Sequence, residues 1–264
     1  MPQNSPTGAA RRAQDSPAVR ALARTGYAAS GVLHLLVGWL AVQLTFGRSE
    51  QADQSGAFSA LAQMPGGAVI LWAVTVGFAA LALWQLTTAV VGAPSARSQG
   101  AERVKSLAKA VLYGVLAVSA GRYAQGSGGS SGGTEESLTA QALALPGGAL
   151  LVGAAGLAVV GVGAYHVVKG ARKRFLRDLS GGVGRAVTRL GQVGYVAKGV
   201  ALGVVGGLVV AAAVTADPER AGGLDEALHT LREQPFGVVL LLVVGLGLAA
   251  YGAYSFARAR DARL

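Results

Sequence analysis

Six apolar segments alternate with short polar connections along this chain of 264 residues. None of the six shows the alternation of apolar and polar residues that a membrane-spanning β-strand requires. Each has close to the ~20 residues that an α-helix needs to cross about 30 Å of hydrocarbon. The pattern therefore predicts six membrane-spanning helices, at about Gly26–Phe46, Gly67–Val91, Val104–Tyr123, Gly147–Val168, Gly194–Thr215 and Phe236–Ala257.

Charged residues are divided between alternate connections. Nineteen of the 23 Lys and Arg residues lie in the N-terminal segment, around the second and fourth connections and in the C-terminal segment, with only four acidic residues beside them. The remaining connections hold nine of the 13 Asp and Glu residues. Because loops on the cytoplasmic side of a membrane are rich in Lys and Arg, we expect a multi-pass protein of the cytoplasmic membrane with both termini in the cytoplasm.

The composition agrees with a membrane protein. Hydrophobic residues make up 52% of the chain and charged residues 14%, whereas soluble proteins have about 25% charged residues. The net charge of +10 is dispersed over four segments, so we interpret it as topology and attraction to anionic lipid headgroups, not as a nucleic-acid surface. Cysteine is absent, which excludes disulfides and thiolate metal sites.

A repeated motif precedes the second, fourth and sixth apolar segments. Each segment follows a proline, Pro65, Pro146 or Pro235, and proline suits the first turn of a helix. A short segment that we predict as a surface helix stands before each proline. An aromatic residue stands nineteen residues after each proline: Trp84, Tyr165 and Tyr254. We expect these aromatic rings at the opposite membrane interface.

The odd-numbered segments begin with a second repeated motif. Tyr27–Gly31 aligns with Tyr195–Gly199, and more loosely with Ser106–Ala110, where Ser and Ala replace Tyr and Gly. The sequence thus predicts an all-α, polytopic membrane protein built of three tandem two-helix repeats. The predicted boundaries are a disordered basic tail at 1–23, repeats at 24–92, 101–170 and 186–258, and a second cytoplasmic tail at 259–264.

These motifs resemble a known family. The segment Arg24–Gly38, its echo Gly194–Gly199 and the segments Leu231–Gly237 and Tyr251–Tyr254 are similar to the bacterial membrane family called Domain of Unknown Function 1206. The resemblance covers nearly the whole chain. It implies three two-helix repeats, an arrangement typical of actinobacterial proteins, and it implies no activity.

Glycine residues recur within the apolar segments, and the chain has 40 of them. Thr75, Gly156 and Gly245 occupy matched positions in the three repeats. Small residues let helices in a membrane approach closely, so we predict packing faces in a compact bundle. Glycines that line a pore or form hinges remain the alternative.

Residues that carry chemistry are scarce. None of the 13 carboxylates lies within an apolar segment, which argues against a proton- or cation-coupled transporter. No hydrolase, phosphate-loop or zinc-binding motif occurs. We therefore predict no enzyme activity, no catalytic residue, no metal site and no cofactor.

A few polar residues do lie within the segments. His34 stands in the first segment, and we predict that it is neutral and bonded to a backbone or hydroxyl group. Six others occupy matched repeat positions: Ser30, Lys109, Lys198, Gln85, His166 and Ser255. One hypothesis has these six converging in a basic vestibule that faces the cytoplasm and binds an anion or a lipid headgroup. The alternative has the two lysines extending to the headgroups and the others hydrated at the interface.

Two functions remain open from the sequence. The first is a structural bundle that binds anionic lipid, membrane protein partners or a second copy of itself, and not nucleic acid. The second is a small-molecule or ion permease with the basic vestibule as its entrance. A dry, glycine-packed centre would favour the first function, and a polar cavity in the middle of the membrane would favour the second.

Overall fold

The structure is a computed structural model that describes residues 17–48, 51–91, 99–129 and 132–262. Within these ranges the chain forms nine α-helices and no β-strand, which confirms the all-α fold. The helices are α1 Pro17–Thr45, α2 Gln54–Ala62, α3 Gly67–Val91, α4 Gln99–Ala124, α5 Gly132–Leu143, α6 Gly148–Ala171, α7 Arg185–Thr215, α8 Gly223–Glu233 and α9 Gly237–Asp261.

Six of these helices are long and apolar enough to cross a membrane: α1, α3, α4, α6, α7 and α9. The short helices α2, α5 and α8 stand between the two long helices of each repeat. Each repeat is therefore a long helix, a short helix and a second long helix. The prediction of six spans in three tandem repeats is confirmed.

The ends of the chain differ from the prediction. Helix α1 begins at Pro17, so residues 17–23 of the predicted disordered tail are helical, while residues 1–16 lie outside the described part of the chain. Helix α9 continues to Asp261, so residues 259–261 of the second predicted tail are helical as well. A helix readily continues past its apolar segment when no Pro or Gly stops it.

A β-turn with the same geometry precedes the second long helix of every repeat. The residue after each proline has a left-handed backbone, with φ of 75° at Gly66 and at Gly147 and 62° at Phe236. The turn is closed by a backbone hydrogen bond, such as that from Gly148 N–H to the Leu145 carbonyl oxygen at 2.8 Å. Proline followed by a left-handed residue defines a type II turn. Each proline therefore lies just before its helix and not in the first helical turn, which the sequence pattern had favoured.

The chain divides into two compact units. The first contains Met1–Gly31, Leu61–Gly128 and Ser255–Leu264. The second contains Val32–Ala60 and Gly129–Tyr254. Helices α3 and α4 belong to the first unit, and α6, α7 and most of α9 belong to the second.

Helices α6 and α7 of the second unit touch through their backbones. A Cβ atom at Gly163 would lie 2.7 Å from the carbonyl oxygen of Gly199. About two turns earlier in α6, a Cβ at Gly156 would lie 2.9 Å from the carbonyl oxygen of Gly206. No side chain fits at either position, so these glycines are packing residues, as predicted.

Helix α9 makes the same kind of contact with two other helices of the second unit. A Cβ at Gly194 of α7 would lie 2.6 Å from the backbone nitrogen of Tyr251. A Cβ at Gly38 of α1 would lie 2.6 Å from the carbonyl oxygen of Gly245. The second unit is thus held together by backbones in van der Waals contact.

The first unit combines close and wider contacts. A Cβ at Gly26 of α1 would lie 2.6 Å from the carbonyl oxygen of Gly77 in α3. Between α3 and α4, in contrast, the approach of a Cβ at Gly121 to the Thr75 side chain is an ordinary 3.6 Å. The rings of Phe78 and Tyr113 stack across the α3–α4 interface with centroids 6.1 Å apart.

Candidate functional site

One polar cluster joins three long helices of the second unit. Nζ of Lys198 on α7 lies 3.0 Å from Nε2 of His34 on α1. The same Nζ lies 4.3 Å from the ring centroid of Tyr251 on α9, and the rings of His34 and Tyr251 are 4.7 Å apart. Lys198 and His34 are both half-buried. We call these three residues the lysine cluster.

The donor and acceptor groups of Lys198 and His34 determine how the two side chains can hydrogen-bond. An ammonium group has three donors and no acceptor, so with Lys198 protonated, Nε2 of His34 accepts and the imidazole carries its proton on Nδ1. The Tyr251 ring stabilises the same ammonium by a cation–π contact. The structure thus adds a lysine at Nε2 of His34, and a neutral His34 bonded to a backbone or hydroxyl group stays a prediction.

The lysine cluster lies well inside the helices. His34 stands eleven residues before the end of α1 at Thr45, which corresponds to about 17 Å along the helix axis. Tyr251 stands fourteen residues after the start of α9 at Gly237, or about 21 Å. The Lys198 ammonium contacts both of these residues, and its extension to the headgroups stays a prediction.

A buried aromatic cluster continues from Tyr251. It contains Phe175, Leu179, Tyr195, Tyr251 and Tyr254, of which Phe175 and Tyr254 are fully buried. The Phe175 ring lies 5.4 Å from Tyr195 and 5.2 Å from Tyr254. The Tyr254 ring completes the core of the second unit, and its position at the membrane interface stays a prediction.

The connection between α6 and α7 carries a basic surface. Its cations Arg172, Lys173, Arg174 and Arg177 are exposed. Between them, a short 3-10 helix at Arg174–Asp178 directs Phe175 into the aromatic cluster. Nζ of Lys169 binds Oδ2 of Asp178 at 2.6 Å and also lies 5.0 Å from the centroid of the Tyr195 ring. The segment 172–179, which we call the basic loop, is therefore fixed to the second unit at Phe175 and at Asp178.

The charge pattern of the sequence does not reveal the basic loop as a folded element. It identifies the cations only as markers of topology and the segment only as a connection. The signal that could have revealed the fold is the spacing of Phe175, Leu176 and Leu179 among the charged residues, because an apolar face on a short polar segment indicates docking.

Two of the six predicted vestibule residues, His166 and Lys198, belong to the second unit. Nδ1 of His166 lies 2.8 Å from the carbonyl oxygen of Val162, and the His166 ring stacks on Tyr195 with centroids 5.8 Å apart. Tyr195 in turn contacts Tyr251 at 5.1 Å. His166 and Lys198 thus flank the same pair of tyrosines.

The other four vestibule residues belong to the first unit. Gln85 and Ser255 are buried, Ser30 is half-buried and Lys109 is exposed. The convergence of all six residues stays a prediction.

Acidic residues gather at the opposite ends of the helices in the second unit. The backbone N–H of Ala52 donates to Oδ1 of Asp225 at 2.8 Å. The pKa of Glu135 rises from 4.5 to about 7, first because its carboxylate is partly desolvated against the chain, then because Asp53 and Glu136 repel its charge. Glu135 as a whole residue remains exposed. Within the described ranges, no group of three His, Asp or Glu side chains is arranged to hold a metal ion.

Comparison with known proteins finds the same three repeats and identifies the family of the chain. The family described as Domain of Unknown Function (DUF1206) matches the chain three times, over residues 25–92, 104–173 and 193–261. The chain belongs to this family. Each match covers one long–short–long unit of a DUF1206 repeat, and the family description assigns no activity.

A relative matches the chain over most of its length. The Bacillus subtilis (strain 168) protein named Uncharacterized protein YxxB is 29% identical over 252 residues, which cover 92% of this chain and 90% of the relative. No solved structure matches the chain.

Proposed function

We propose that this DUF1206 protein is a structural six-span bundle of the cytoplasmic membrane that binds anionic lipid headgroups on its basic side. The observation that carries the proposal is the basic loop. Four exposed cations, Arg172, Lys173, Arg174 and Arg177, stand on a segment that Phe175 fixes to the core of the second unit.

The fixed loop differs from an ordinary charged connection. A flexible basic segment loses conformational entropy when it orders on a ligand. Phe175 is already fully buried, and the contact of Lys169 with Asp178 closes the segment. The loop therefore presents its cations with little further ordering. Basic residues next to a membrane surface each contribute roughly 1 kcal/mol of attraction to anionic lipid.

Location and orientation belong to the same proposal. The helix ends with the excess of Lys and Arg face the cytoplasm, together with both termini. The basic loop then lies at the inner leaflet, where anionic lipid headgroups would meet it. Membrane protein partners or a second copy of the chain would bind through the exposed apolar helix faces.

Native mass spectrometry tests lipid binding directly. The protein in detergent would be mixed with phosphatidylglycerol and phosphatidylcholine of identical acyl chains. We expect preferential retention of phosphatidylglycerol. The variant in which all four exposed cations of the basic loop are replaced by Gln should lose at least about tenfold of that preference, because each cation contributes to attraction.

The chain supplies a control with the same change in charge. Four cations lie on the acidic side, Arg48, Arg122, Arg220 and Arg232. Replacing these four by Gln should leave the preference for phosphatidylglycerol unchanged. Equal loss in the two quadruple variants, or no loss in either, would contradict the proposal.

One observation favours a permease as a second candidate function. The lysine cluster places a cation within the spans at Lys198, and ionisable residues inside membranes commonly mark transport pathways. An anion is the substrate class that an ammonium would attract. Proteoliposomes with an entrapped anion-sensitive dye test this candidate.

The transport assay has a matched variant pair. A permease would give anion flux that Lys198→Gln abolishes and that Lys109→Gln, at the matched position of the second repeat, retains. The structural function predicts no flux above that of empty liposomes from the unsubstituted protein.

A further inference from the structure

Two of the three interfaces between repeats share a cation–tyrosine contact. Nζ of Lys169, near the end of α6, lies 5.0 Å from the ring centroid of Tyr195 on α7. The guanidinium of Arg258, near the end of α9, lies 4.4 Å from the ring centroid of Tyr27 on α1. Its Nη2 also donates to the Tyr27 hydroxyl at 3.5 Å.

The two contacts occupy matched repeat positions. Lys169 and Arg258 each stand 23 residues after the repeat's proline, and Tyr27 and Tyr195 begin the repeated motif of the odd-numbered spans. In both cases the cation belongs to the end of one repeat and the ring to the start of another. We call each such pair a latch. The same kind of contact therefore joins the second repeat to the third and the third repeat to the first.

The interface between the first and second repeats has no latch at the matched positions, both of which the structure describes. The matched residues are Thr88 on α3 and Ser106 on α4. The Thr88 hydroxyl donates to the carbonyl oxygen of Trp84 within its own helix. Thr and Ser side chains offer neither a cation nor a ring, so they cannot form a cation–π contact.

At this interface a threonine stands where each of the other two has a glycine in contact with the neighbouring backbone. The residue ten positions after the proline is Gly156 in α6 and Gly245 in α9, but Thr75 in α3. A Cβ at Gly156 would lie 2.8 Å from the backbone nitrogen of Val210, and one at Gly245 would lie 3.1 Å from the carbonyl oxygen of Gly38. At the matched place, a Cβ at Gly121 of α4 would approach the Thr75 side chain to only 3.6 Å.

Side chains replace backbones across α3 and α4. The stacked rings of Phe78 and Tyr113 span the space between the two helices. Side-chain contacts can exchange rotamers, whereas close backbone contacts lose many dispersion contacts at once when helices separate. The α3–α4 interface should therefore cost less to open than α6–α7 or α9–α1.

We infer that the α3–α4 interface is a built-in seam, the place where the protein opens first while the latched interfaces stay closed. This inference does not depend on the proposed lipid binding. Ala117 and Ala120 of α4 are buried and match Gly38 and Ala41 of α1, which contact α9, so opening of the seam would expose them. A seam of this kind gives the bundle one defined conformational change.

The absence of native cysteine makes the seam testable with single thiols. Ala120 in α4 and Ala41 in α1 occupy matched repeat positions, and both are fully buried. Ala41 faces α9, since its Cβ lies 3.1 Å from a Cβ placed at Gly245. The rate at which 4,4′-dithiodipyridine labels Ala120→Cys and Ala41→Cys in detergent would be compared. Exposed Val118→Cys and Trp39→Cys would give the unhindered rate on each helix.

We expect Ala120→Cys to label at least about tenfold faster than Ala41→Cys after normalisation, because the latched interface has an extra cation–π contact. Adding Arg258→Gln should accelerate labelling of Ala41→Cys several-fold toward the rate of Ala120→Cys. Equal rates, or faster labelling at Ala41→Cys, would overturn the inference.

A measurement without substitutions guards against variants that fold poorly. Hydrogen exchange of the unsubstituted protein should be faster in residues 107–120 of α4 than in the matched residues 28–41 of α1. Equal protection of the two segments would overturn the seam, whatever the labelling rates.

Discussion

Nζ of Lys198 lies 3.0 Å from Nε2 of His34, although the two residues are 164 positions apart in the chain. The contact joins the first span to the fifth and places an ammonium among aromatic rings. Hydrogen bonds between helices within a membrane are individually modest, at about 0.6 kcal/mol on average. A charged donor and a nearby Tyr251 ring should raise this value.

Replacing Lys198 by Met should destabilise the protein by about 1 to 2 kcal/mol, because the hydrogen bond to His34 Nε2 and the cation–π contact are both lost. The measurement is the free energy of unfolding in mixed micelles titrated with a denaturing detergent. Lys109→Met is the control: Lys109 is exposed at the matched position, so its loss should change stability by less than about 0.5 kcal/mol.

A double-mutant cycle measures the interaction energy between His34 and Lys198 apart from the contacts that each makes with other residues. His34→Leu, Lys198→Met and the double variant should give a coupling energy of at least about 0.5 kcal/mol. Strictly additive effects would show that the two side chains do not stabilise one another.

Glu135→Gln should raise the stability of the protein at pH 8 and have no effect at pH 4. The raised pKa of about 7 means that between pH 4.5 and pH 7 the folded chain holds a proton that the unfolded chain has released. Stability therefore falls as pH rises through this window, and the amide removes the effect. The gain should be below about 1 kcal/mol, because the residue is exposed and water screens its charge.

The check is thermal unfolding of both proteins across that pH range. Glu233→Gln, at an exposed acid on the neighbouring helix α8, is the control for the loss of one acidic side chain. A Glu135→Gln variant whose stability follows the same pH curve as the unsubstituted protein would disprove the assignment.

Phe236→Gly should give a more stable protein than Phe236→Ala by about 1 kcal/mol, since a residue with a side chain is strained in the left-handed region. Phe236 has a φ of 62°, and glycine occupies the matched turn position in the other two repeats. Both substitutions remove the exposed ring, so their difference isolates the backbone. Equal unfolding free energies for the two variants would be incompatible with strain at this turn.

Helix positions and the repeat could be predicted from sequence because both depend on local pattern. Apolar length located six spans, and Pro65, Pro146 and Pro235 marked the start of every second one. The turn type could be predicted from the sequence for two of the three turns. Gly66 and Gly147 suit a left-handed backbone, but Phe236 gives no such signal, and its φ of 62° follows from the geometry that the repeat imposes.

The candidate site was less accessible from sequence because it depends on contacts between distant segments. Matched offsets drew attention to Lys198 but paired it with Ser30 and Lys109, which occupy the same place in other repeats. The observed partner, His34, lies one helical turn beyond Ser30. Repeat symmetry predicts which positions are equivalent, whereas the partner of a long side chain depends on its rotamer and on the neighbouring helix.

The sequence also could not predict which individual glycines contact a neighbouring helix. Gly161 and Gly163 stand two residues apart in α6, yet a Cβ at Gly161 would have nothing within 4 Å among the described residues, while one at Gly163 would lie 2.7 Å from the backbone of α7. Glycine content predicts close packing in general, but the rotation of each helix decides which glycines provide it.

The central claim, that the spans of the second unit are held together by backbones in direct contact, is tested most directly by the unfolding free energies of Gly163→Ala and Gly161→Ala. We predict that Gly163→Ala lowers stability by about 1 to 3 kcal/mol, because the methyl group forces α6 from α7. Gly161→Ala should leave stability unchanged or raise it by up to about 1 kcal/mol through helix propensity. Equal effects of the two substitutions would contradict the claim.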